Sequence, residues 1–97
     1  MATTKSGIIN TAVTASTTAV QLAVNSSRRT LITFTNNGSV TVYLGGSDVS
    51  STAFLWPLAA GETVQFTGEG GDISPQMLWY GRTASSTASV SVGEVIN

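Results

Sequence analysis

Apolar side chains in this chain recur at every second position, and Gly, Asn and Ser punctuate the runs. No window places them at helical spacing over three turns, so the pattern predicts an all-β chain. Seven strands are expected: Ile8 to Val13, Ala19 to Val24, Thr30 to Asn36, Val40 to Gly45, Thr63 to Thr67, Gln76 to Arg82 and Ala88 to Ile96. Their spacing suits one antiparallel β-sandwich or jelly-roll-like domain of about seven to eight strands. That domain covers residues 8–97, with residues 1–7 as an N-terminal arm or tail.

Asn36-Asn37-Gly38-Ser39 reads as a hairpin turn. A two-residue Asn37-Gly38 loop sets Phe34 against Thr41 and wastes the alternation. A three-residue loop with Gly38 left-handed instead sets Phe34 opposite Val40 and Ile32 opposite Val42, and is the expected form. Val64, Phe66, Ala88, Val90 and Val92 are expected in the core. Beyond Val92 the alternation brings Glu94 inward, which predicts a bulge at Gly93-Glu94.

Two stretches carry more apolar surface than one core needs. The connection from Gly45 to Gly61 begins polar and then holds Phe54, Leu55, Trp56 and Leu58. In Met77-Leu78-Trp79-Tyr80 both faces of one strand are large and apolar, as for burial on both sides or a patch kept for a partner.

Charge is scarce: four Lys and Arg and five Asp and Glu stand in 97 residues, with no His and no Cys, while Ser and Thr exceed a quarter. The usual equipment for acid-base, nucleophilic or transition-metal chemistry is thereby missing, and no enzyme activity, cofactor or metal site is expected. A net charge of −1 leaves no field to hold phosphates, so no nucleic-acid partner is expected. Without cysteine there is no disulfide framework. Met1 to Gly7 lacks the apolar core of a signal peptide, and no stretch approaches the roughly 18 apolar residues of a membrane span. Weak surface repulsion favours association with other molecules.

Individual side chains add little chemistry. Arg28 and Arg29 have the fork geometry of an anion clamp, but solvated surface is the expected role. Asp48, Glu62, Glu69, Asp72 and Glu94 form no close pair in sequence, and Asp48 and Asp72 alone fall short of a calcium shell. Gly68-Glu69-Gly70-Gly71 lacks the lysine of a phosphate loop and reads as a flexible tip. The glycosylation patterns at Asn25 and Asn37 matter only on a eukaryotic secretory route. Trp56, Trp79 and Tyr80 could floor a sugar site, with core packing the default.

Several pieces taken in order carry a resemblance: Asn25-Ser26-Ser27-Arg28-Arg29 before a strand, Asn36-Asn37-Gly38-Ser39, Val42-Tyr43-Leu44-Gly45-Gly46, and Pro57-Leu58-Ala59-Ala60-Gly61-Glu62. Over roughly Ala19 to Ile96 the chain resembles small β-sandwich accessory proteins of tailed-bacteriophage virions, the capsid decoration or cement proteins and related head-fibre modules. The resemblance implies a structural subunit made in the host bacterial cytoplasm that docks on the major capsid protein, often as a trimer, and strengthens the shell. Docking is expected through loops at one end of the sandwich, with Phe54, Leu55, Trp56 and Trp79 as candidate contacts. Residues 1–6 are a candidate arm onto a neighbour. A carbohydrate-binding module or glycan-gripping fibre tip is the alternative of a different class.

Overall fold

Alternation becomes architecture where two sheets close their apolar faces on each other. The computed structural model describes residues 7–69 and 73–97. Its strands are β1 (Gly7–Ala15), β2 (Val20–Ala23), β3 (Arg29–Asn36), β4 (Val42–Gly45), β5 (Trp56–Leu58), β6 (Thr63–Phe66), β7 (Trp79–Thr83) and β8 (Ala88–Ile96). They form two antiparallel four-stranded sheets, ordered β1-β8-β3-β6 and β2-β7-β4-β5, packed as a β-sandwich. All seven expected strands are present. The eighth, β5, is three residues long and contains Pro57, which is tolerated because β5 pairs with β4 alone, at a sheet edge.

The inward residues of both sheets meet in a single core. Ile32, Phe34, Phe66, Ala88, Val90 and Val92 come from one sheet and Leu22, Val42, Leu44, Leu58 and Trp79 from the other. Val64 packs at its margin, half-buried. Trp79 is the centre: its ring stacks on Phe66 at 4.9 Å and 19°, and tilts against Phe34 at 5.1 Å. Its Nε1 is buried with no hydrogen-bond partner among the described residues.

The expected Asn36 hairpin does not form, because β3 and β4 lie in different sheets. The segment between them crosses from one layer to the other, so Phe34 and Val42 face the same core from opposite sides. Buried Asn36 holds the crossing. Its Nδ2 donates to the carbonyls of Val40 (2.7 Å) and Leu58 (3.0 Å), and its Oδ1 accepts from Gly38 N–H (2.9 Å). Gly38 is not left-handed. It is required for a different reason: a Cβ there would stand 2.5 Å from Ala88 Cβ and 2.8 Å from Ala88 Cα.

The expected bulge at Gly93-Glu94 is also absent. β8 pairs with β1 without interruption from Gly7↔Ile96 to Ala15↔Ala88, and the irregularity falls on β3, between Arg29 and Leu31. Glu94 keeps the inward side because a cation meets it there. Arg29, expected on a solvated surface, is buried, with its Nη2 2.5 Å and its Nε 2.7 Å from Glu94 Oε1. The remaining donors reach the carbonyls of Pro75 (2.9 Å), Met77 (3.1 Å) and Val24. One guanidinium thus ties the end of β2 and the approach to β7 onto β8, pairing its own charge and satisfying the buried Pro75 carbonyl and the part-buried carbonyls of Met77 and Val24.

Candidate docking surface

The polar half of the Gly45–Gly61 connection supplies a frame. Val49 N–H donates to Gly46 O (3.0 Å), Ser50 N–H to Ala53 O (2.8 Å), and Ser50 Oγ accepts from Ala53 N–H (3.0 Å). Buried Val49 lies against Gly45, where a Cβ would come within 3.1 Å of Val49 Cγ2. Leu55 N–H then donates to Leu44 O at 2.8 Å, leading the chain into β5.

This frame holds Phe54, Leu55 and Trp56 outward, at 42%, 44% and 37% exposure. Phe54 tilts over Tyr43 at 4.9 Å, while Trp56 sets its edge to Phe66 at 6.0 Å. Phe54 also borders a shallow depression with Gly45, Asp48, Val49, Ala53 and Leu55. Three of the four expected contact residues are therefore on the surface. Trp79 is not: it is fully buried, because β7 turns that side of the strand into the core, and its neighbours Met77 and Leu78 are the exposed ones. Tyr80 is half-buried on the opposite side of β7 from Trp79.

Strand registers gather these side chains. β1 and β3 begin where β8 ends, since both Gly7 and Arg29 pair with Ile96. The bonds from Arg29 bring the end of β2 and the approach to β7 to that same end. Gly45 pairs with Tyr80, so the loop after β4 leaves there too. Consequently Ile8, Ile9, Val24, Phe54, Leu55, Trp56, Met77 and Leu78, the large apolar side chains exposed among the described residues, all lie toward one end. The loops at the other end, 16–19, 37–41, 59–62 and 84–87, expose none.

The apolar end was unreadable residue by residue, because Ile8, Val24 and Met77 are far apart in sequence and only the strand directions bring them together. Of the carboxylates, Glu94 is committed to Arg29 and Glu62 accepts from Ala59 N–H at 2.9 Å. Asp72, Gly70, Gly71 and residues 1–6 lie outside the described residues. Among the described ones, no group of three His, Cys, Asp or Glu could hold a metal ion, and no helix is long and apolar enough to cross a membrane. No protein-family model matches the chain, and no curated protein or solved structure matches it either.

Proposed function

We propose that this chain is a non-enzymatic subunit of a virion surface that docks by its apolar end on the major capsid protein and stabilises the shell. The observation carrying this reading is the collection of eight exposed apolar side chains at one end of a sandwich whose other end exposes none. Apolar side chains of this kind, once covered by a partner, release water at about 25 cal/mol per Å². The resemblance of the turn and strand motifs to phage decoration proteins supports the major capsid protein as the partner. A subunit that binds the assembled lattice and not free capsomers stabilises the lattice by mass action, and repeated contacts add through effective concentration. This task needs no reactive group.

The glycan alternative relied on Trp79 beside Trp56 and Tyr80. With Trp79 in the core, that set lacks one of its three rings, and the exposed Phe54 and Trp56 pack on Tyr43 and Phe66 respectively. The test is co-sedimentation of the purified chain with expanded capsids, together with their disruption temperature. Binding and a raised disruption temperature are expected, both reduced by Phe54→Ser with Met77→Ser. No co-sedimentation and an unchanged disruption temperature would overturn the proposal.

A further inference from the structure

β1 is an edge strand of unusual character. It is nine residues long, pairs with β8 in one unbroken register, and has no strand on its other side among the described residues. Natural edges of this length are normally blunted by a charge, a proline or a bulge. Gly7–Ala15 contains no charged residue and no proline, and no bulge interrupts it. Its inward side is also incompletely covered: β2, the outer strand of the facing sheet, is four residues long, and Ile9 on the core-facing side of β1 remains 42% exposed.

We infer that β1 pairs antiparallel with β1 of a second copy, about a twofold axis at Thr11, joining two four-stranded sheets into one of eight. The strand is self-complementary in this register. Ile9 stands opposite the partner's Val13 on the core side, Thr11 opposite the partner's Thr11, and on the outer side Ile8 opposite the partner's Thr14. No like charges meet, and apolar side chains meet on the side where each sandwich is open. The covered half of each β1, near its own β2, lies beside the uncovered half of the other, so the exposed Ile9 of each copy gains a neighbour. Shifting the strand by one residue puts Ile9 on the wrong side of the partner's sheet, and shifting it by two sets Ile9 opposite Thr11 or Ala15 in place of Val13. The two apolar ends then point in opposite directions, and of their exposed side chains only Ile8 and Ile9 lie on the paired strand.

The test uses the full chain without capsids. Sedimentation equilibrium is expected to give twice the 9.9 kDa monomer mass. Thr11→Cys, in a chain otherwise free of cysteine, places two sulfurs on the axis, where paired strands bring Cα atoms about 4.5–5.5 Å apart, within disulfide range. Oxidation is expected to cross-link this variant, and not Gln65→Cys on the β6 edge, into a covalent dimer. Thr11→Lys and Thr11→Glu, each alone, are expected to weaken association at least about tenfold through like charges placed opposite one another, and their mixture to restore it. Thr11 is exposed, so an unchanged circular dichroism spectrum separates lost pairing from lost folding. A monomer, a trimer, absence of the Thr11→Cys cross-link, or dimerisation unaffected by Thr11→Lys would overturn the inference.

Discussion

Truncating Glu94 to alanine tests how the apolar end is held together. Arg29 is 1% exposed and Glu94 14%, and the substitution leaves the guanidinium inside the protein without its counter-charge. Breaking a buried ion pair by removing one partner costs about 3–5 kcal/mol. Three backbone carbonyls remain on Arg29 and Glu94 keeps some contact with water, which places the loss at the lower end, about 3 kcal/mol. Domains of this size have about 5–15 kcal/mol in total. The melting temperature should therefore fall by roughly 12–24 °C. Urea denaturation followed by tryptophan fluorescence measures it, with the midpoint shifting and the slope unchanged. Glu94→Gln keeps an acceptor without the charge and should lose about half as much. Arg29→Met should cost at least as much as Glu94→Ala, because it strands the carbonyls of Val24, Pro75 and Met77. High salt should leave these differences in place, since a buried pair is poorly screened. A loss below about 1 kcal/mol for Glu94→Ala, the ordinary worth of an exposed pair, would refute the reasoning.

Asn36→Ala should destabilise by about 2–3 kcal/mol, since it removes three hydrogen bonds and leaves the Leu58 carbonyl buried without its donor; thermal denaturation reads this directly. Gly38→Ala should cost about 1–3 kcal/mol because its Cβ collides with Ala88 backbone, whereas Gly61→Ala, with open space but a φ of 78°, should cost about 1 kcal/mol; denaturant midpoints compare the two. Trp79→Ala should lose about 3–5 kcal/mol by emptying the centre of the core, while Phe54→Ala should stay within about 1 kcal/mol, and equal losses from the two would contradict their placement.

Period-two alternation determined, from the chain alone, that this is a β protein, where seven of its eight strands fall, and that Phe34, Phe66, Val90 and Val92 face a core. Scarce charge and missing cysteine and histidine determined which chemistries the chain is ill equipped to perform. Alternation states which side chains share one side of a strand; it does not state which layer the strand joins. That choice rests on contacts between distant residues, so the tertiary structure decided that β3 and β4 part company at Asn36 and that Trp79 turns inward while Met77 and Leu78 stay out. It also decided the fate of Arg29, expected in solvent, and of Glu94, expected at a bulge. Arg29 and Glu94 are 65 residues apart, and each is tolerable inside only because folding delivers the other. The clustering of exposed apolar side chains at one end has the same origin, since strand direction, set by pairing across the whole chain, brings them together.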